Sequence, residues 1–122
     1  MTKVEVNSEN FKKYLEIVTE IDNCLYNIAK DTDMFSFAKY LEHQDYKKLI
    51  NMGDRIIPYL FHYATQKHGF SWVIIHLLLE LSGENPIPKD HEGRFAHIIS
   101  DWTNWFINSK YIETAVYHGL ID

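Results

Sequence analysis

The sequence predicts a compact all-α domain of five to seven helices, with a short antiparallel helix pair at its centre. Three observations predict it. Apolar residues recur at intervals of three and four along several stretches. No run of alternating apolar and polar residues persists long enough to read as a strand. Most glycines stand at the ends of the periodic stretches, where a helix that stops needs them.

Met1 to Asn7 reads as a short polar lead, frayed at the terminus. Asn7 or Ser8 caps a long first helix. Phe11, Tyr14, Val18, Ile21, Leu25 and Ile28 form its apolar seam, and Lys12, Lys13, Glu16, Glu20, Asp22 and Lys30 form a solvated face. At 1.5 Å per residue such a helix reaches about 33 Å, the expected width of the domain. Its seam has two readings, packing across the central pair or pairing in a homodimer. Asp31-Thr32-Asp33 then breaks the first helix and begins another, MFSFAKYLEH, which carries Phe35, Ala38 and Leu41 with Phe37 and Tyr40 beside them. Asp45 is expected to cap a short segment, Tyr46 to Met52, that feeds Gly53.

Gly53 suits the residue just after a helix, and Asp54 is expected to cap the next one. Arg55 to Gln66 places Ile56, Ile57, Leu60, Phe61 and Tyr63 or Ala64 at helical spacing. Pro58 falls near the end of the first turn, which predicts a kink rather than a break. Lys67-His68-Gly69 closes this helix with cations at its negative end. Ser71 caps the following one, Trp72 to Ser82, which is apolar almost all round and therefore reads as the central core helix. It is far too short for a bilayer, which needs about 20 residues. Gly83 ends it.

Asn85-Pro86-Ile87-Pro88 makes a stiff connector, since each residue before a proline is pushed toward extended backbone. Asp90 is expected to cap the closing helix, where Phe95, Ile98, Ile99, Trp102, Trp105 and Phe106 form one stripe. His97, Asp101, Asn104 and Asn108 form the opposite one. Asn108-Ser109 weakens that helix, and Ile112 to His118 offers a last short one, stopped by Gly119.

The early proline of the Arg55–Gln66 helix, in a short antiparallel pair, resembles a HEAT-type repeat, of which one unit is present. The LSGENPIP turn, with Trp72 upstream and the W-x-x-W of Trp102 and Trp105 downstream, resembles a group of small uncharacterised bacterial helical proteins with a GENPxP turn. The resemblance covers roughly Leu49 to Ile112. The group implies no activity; the HEAT likeness implies protein–protein contact.

One domain is expected from 122 residues, and 46% apolar content supplies a core. Eight Tyr, seven Phe and three Trp argue against disorder. The net charge of −5 and the lack of a Lys/Arg run argue against direct nucleic-acid binding. A lone cysteine, Cys24, excludes an internal disulfide and fits a reducing cytoplasm; no signal peptide or membrane span is read. The abundance of Lys, Ile, Asn and Tyr suggests an AT-rich genome, bacterial or phage.

Two pairs stand four apart on helices, His76 with Glu80 and His97 with Asp101, and each pair shares a helix face. Meeting across an antiparallel packing they would form a two-histidine, two-carboxylate site. Left apart they are polar stripes that face water or a partner. No H-E-x-x-H is present. Asp90, His91 and Glu92 read as helix-start residues rather than an acid/base site, Cys24 as a buried inert thiol, and the separated glycines as no phosphate loop. Trp72, Trp102 and Trp105 fit a core better than interface anchors. Tyr59, His62, Tyr63 and His68 form an aromatic edge that has two equal readings, a surface that stacks a base or a peptide and a half-buried rim.

The expected function is a non-enzymatic protein-binding module that regulates or inhibits a larger intracellular protein with a basic surface. A nucleic-acid enzyme or a toxin would be such a partner, and a phage inhibitor or immunity-type protein would have this sequence character. No catalytic residue, metal or cofactor is expected, and His76, Glu80, His97 and Asp101 are the expected partner contacts. The alternatives are a metal- or small-molecule-binding protein using those same pairs, and a structural homodimer through the first helix.

Overall fold

The computed structural model describes residues 8–31, 41–65 and 69–113, with side chains from residue 12 onward in the first stretch. The chain is all-α, with no strand among the described residues. Helix α1 is Ser8–Asp31, α2 is Gln44–Met52, α3 is Ile57–Tyr63, α4 is Trp72–Ser82 and α5 is Phe95–Ile107. A 3₁₀ turn, Asp54–Ile56, leads into α3, and another, Lys89–His91, lies between the proline connector and α5. The expected helix in MFSFAKYLEH lies mostly outside the described residues. So does most of the expected helix Ile112 to His118, of which the first turn begins at Tyr111.

The seam of α1 is taken up inside the chain. Ile21, Leu25 and Ile28 are at most 5% exposed, Cys24 is buried beside them, and Tyr14 and Val18 pack partly against the same core. The helix lies mainly along α2 and also touches α3. A homodimer through α1 would therefore need other residues, of which Leu15 and Tyr26 remain exposed.

Helix α2 begins differently from expectation. Its cap is His43, whose Nδ1 accepts from the Asp45 backbone N–H at 3.0 Å. With Nδ1 accepting, the ring hydrogen sits on Nε2 and is donated to Asp31 Oδ2, 3.0 Å away. One imidazole thus starts α2 and ties it to the end of α1. Asp45, the expected cap, accepts instead from Asn27 Nδ2 at 2.9 Å.

Pro58 neither kinks nor breaks a helix. The 3₁₀ turn precedes it and the α-helix proper starts at Ile57, so the proline occupies the first turn, where its missing N–H would have had no partner. Asp54 makes no capping bond. From Ile56 to Phe61 every residue is buried, so α3 is enclosed on all sides despite its seven residues. The centre of the domain is therefore shared between α3 and α4, rather than held by α4 alone. In α4, Ile74, Ile75, Leu77 and Leu78 are at most 2% exposed. The two helices pack against each other; the HEAT likeness of the pair rests on the sequence pattern.

Helix α4 starts and stops as its sequence predicts. Ser71 Oγ accepts from the Ile74 N–H at 3.4 Å, and Gly83 takes the left-handed conformation (φ 70°, ψ 11°) with its N–H on Leu79 O. A Cβ at Gly83 would meet no atom within 4 Å, so only the backbone resists a side chain there. Gly83→Ala is accordingly expected to lower stability by about 1–2 kcal/mol, read from the urea midpoint.

The closing helix α5 is uncapped by any side chain: its N-cap is Arg94, and Asp90 lies back in the 3₁₀ turn. Among the described helices, its backbone runs beside its neighbours over less of its length than α1 does along α2. Aromatic rings make much of its contact. Phe106 stacks on Phe61 of α3 at 4.1 Å between ring centroids, Phe95 meets Trp72 at 4.9 Å, and Trp102 is wholly buried.

Candidate functional site

The two histidine–carboxylate pairs do not come together. Glu80 accepts from the Tyr46 hydroxyl of α2 at 3.1 Å, while Asp101 Oδ2 lies 2.8 Å from His91 Nδ1. His91 in turn stacks on His97, centroids 4.7 Å apart. Among the described residues no three of His, Cys, Asp and Glu are grouped to hold a metal ion. His76 is half-buried, and that burial lowers its pKa against the raising effects of a backbone bond to Trp72 and the charge of Glu80. The ring is neutral at neutral pH, which suits packing more than a charged contact.

Of the aromatic edge expected around Tyr59, His62 and Tyr63 are half-buried, as a rim would be, and Tyr59 itself belongs to the core. Tyr59 is 7% exposed and sits 6.0 Å from the Tyr14 ring, and burial raises the pKa of both Tyr59 and Tyr63. His68 lies outside the described residues. Trp102 belongs to the core, as expected, whereas Trp105 is only half-buried.

Cys24 is buried between α1 and α2, and its thiol is pushed up from 9.0 to about 11, first by burial and then by the carboxylates of Asp45 and Glu20. At pH 8 the native thiol is protonated and covered, so alkylation by iodoacetamide is expected only at the rate of unfolding, rising sharply in urea. The linkage has a definite sign. Below pH 9 both states hold the proton; between pH 9 and about 11 the unfolded thiol loses it first, so this contribution to stability fades as pH rises.

A cleft of about 830 Å³ opens beside Trp105. The end of α4 supplies Leu81 and Ser82, and the proline connector supplies Glu84 and Pro86. The C-terminal half of α5 supplies Asp101, Asn104 and Trp105, and Asn108 caps its end. The turn after α5 closes one end with Lys110 and Tyr111, and Asp54 faces them from the start of the 3₁₀ turn. Local chemistry fixes several of these groups. Asn108 donates to the Asn104 carbonyl at 2.8 Å, and Ser109 Oγ both donates to Phe106 O and accepts from the Tyr111 N–H. These bonds turn the chain sharply enough to bring Tyr111 back across the site.

Tyr111 then donates its hydroxyl to Asp54 Oδ2 at 2.6 Å. Burial, reinforced by that bond and by the charges of Asp54 and Glu84, raises the phenol to about 12, so it remains a donor. Lys110 Nζ stands 3.9 Å from the same carboxylate and 5.3 Å from the Tyr111 ring centroid. Trp105 lies 5.9 Å from Tyr111, with ring planes 34° apart. The cleft therefore carries three carboxylates against one ammonium, one indole wall and one phenol wall, and amides and hydroxyls between them. Such a lining is too polar for an apolar ligand and has the wrong sign for an anion.

Of the four expected contact residues only Asp101 lines this cleft. Asp54 was visible only as an expected cap, and its contact with Tyr111 was not visible at all, since it spans 57 positions. Glu84 and Trp105 were visible as a turn residue and a core tryptophan, not as neighbours. No protein-family model matches the chain, and neither a curated protein nor a solved structure matches it.

Proposed function

We propose that this chain is a non-enzymatic protein-binding module that docks on a basic surface of a larger intracellular protein and regulates or inhibits it. The observation that supports the reading is the acidic, aromatic-walled cleft at the end of α4 and α5. Two of its three carboxylates are held by side chains of the chain itself: Asp54 by Tyr111, and Asp101 by His91. That arrangement presents fixed negative charge beside rings, which is how a surface recognises a cationic protein face. A nucleic-acid enzyme or a toxin offers such a face.

The test is a pull-down from the host's lysate at low and moderate salt, with the captured protein identified by mass spectrometry and its stoichiometry measured. One stoichiometric partner at both salts is the expected result. A partner held only at low salt would assign the contact to long-range charge alone. Absence of a stoichiometric partner at either salt overturns the reading.

A further inference from the structure

We infer that the cleft between the end of α4 and α5 is a receptor for a single arginine side chain presented by the partner protein, an assignment that rests on the protein-binding reading above. Charge sets the sign of the occupant. Asp54, Glu84 and Asp101 line the cleft against Lys110 alone. The walls set its shape, because Trp105 and Tyr111 lie side by side, 5.9 Å apart, as an aromatic surface on which a planar guanidinium gains more contact than a compact, strongly hydrated ammonium.

The chain already shows the chemistry it selects. Lys110 brings an ammonium to Asp54 and over the Tyr111 ring, so a cation of the protein itself sits at the edge of the site. That lysine is 79% exposed, and an exposed ion pair is held weakly. A guanidinium has more to gain at the same place. It is less strongly hydrated, stacks on rings, and offers five donors in a planar fork.

Acceptors are available for that fork. Neither the Glu84 carboxylate nor the Asn104 side chain makes a hydrogen bond to another side chain among the described residues, and both face the cleft. Asp101 gives one oxygen, Oδ2, to His91 and keeps Oδ1. Lys110 is then a competitor for the occupant rather than a contact, so its removal should tighten binding.

The probe is a blocked Gly-Ser-Arg-Ser-Gly peptide, with its neutral citrulline counterpart, titrated into the isotope-labelled full chain. The Trp105 indole and Asn104 amide signals are followed by NMR. The arginine peptide is expected to give saturable shifts confined to the cleft, and the citrulline peptide to bind about tenfold more weakly. Lys110→Ala should strengthen the arginine peptide, and Glu84→Gln, a substitution at an exposed connector residue, should weaken it. Equal binding of the two peptides, shifts centred elsewhere, or no saturation by about 10 mM would overturn the assignment. The partner arm separates the two claims. A partner captured by the native chain and lost with Glu84→Arg supports the receptor; a partner retained by that variant overturns the receptor and leaves the binding module standing. If the native chain captures nothing, the binding module falls, and the peptide titration alone decides whether the cleft selects arginine.

Discussion

Replacing Phe61 with alanine is expected to lower the stability of the domain by about 3–5 kcal/mol. Phe61 is 1% exposed on the enclosed helix α3, and its ring is the meeting point of three others. It stacks on Phe106 with planes 11° apart, meets Phe70 edge-on at 5.8 Å, and lies 6.5 Å from Trp105. Truncation leaves a ring-sized void that none of the neighbours can fill without leaving the others. It also removes the main contact through which α5 rests on α3. A small domain has about 5–15 kcal/mol in total, so the variant should be close to unfolding at room temperature. Urea titration followed by circular dichroism reads the loss. A change below about 1 kcal/mol would mean that α5 does not dock through this ring.

Trp102 should give the second large effect, and its two substitutions should differ. The side chain is fully buried, and its Nε1–H has no hydrogen-bond acceptor among the described residues. Trp102→Ala removes the largest buried side chain and is expected to cost about 3–5 kcal/mol. Trp102→Phe loses part of that packing but also removes a donor left unsatisfied in the core, which itself costs about 1–3 kcal/mol. The phenylalanine variant should therefore fall within about 1 kcal/mol of the native chain. Equal losses for the two variants would show that the indole N–H contributes a favourable contact, for which the edge-to-face Trp105 ring, 5.2 Å away between centroids and tilted by 76°, is the candidate.

The helices were legible because each carries its own periodicity and its own stops. Ser71 and Gly83 bound α4 as a local reading says they should, since a cap needs only the three or four residues beside it. Caps drawn from the wrong side chain were the usual error. His43 displaced Asp45, and Asp54 left capping for a distant tyrosine, because a side chain chooses among partners that only the folded chain assembles. The enclosure of α3 was hidden for a related reason. Seven residues with a proline do not look like a core, and what encloses them is contributed by α1, α4 and α5. The cleft was least legible of all: Asp54, Glu84, Asp101 and Tyr111 belong to four separate segments.

The seating of α5 on aromatic rings bears on how this surface could diversify. A helix seated ridge-in-groove is locked in its slide and roll by many small side chains at once. One carried on four or five rings is indexed by a few large pieces, each turning about two torsions. Exchanging one ring for another of different breadth would re-aim α5, and with it the rim that holds Asn104 and Trp105, while the α3–α4 pair beneath keeps its place. The bearing and the thing it carries are thus encoded by different residues, so variation in what the rim recognises need not disturb what keeps the chain folded.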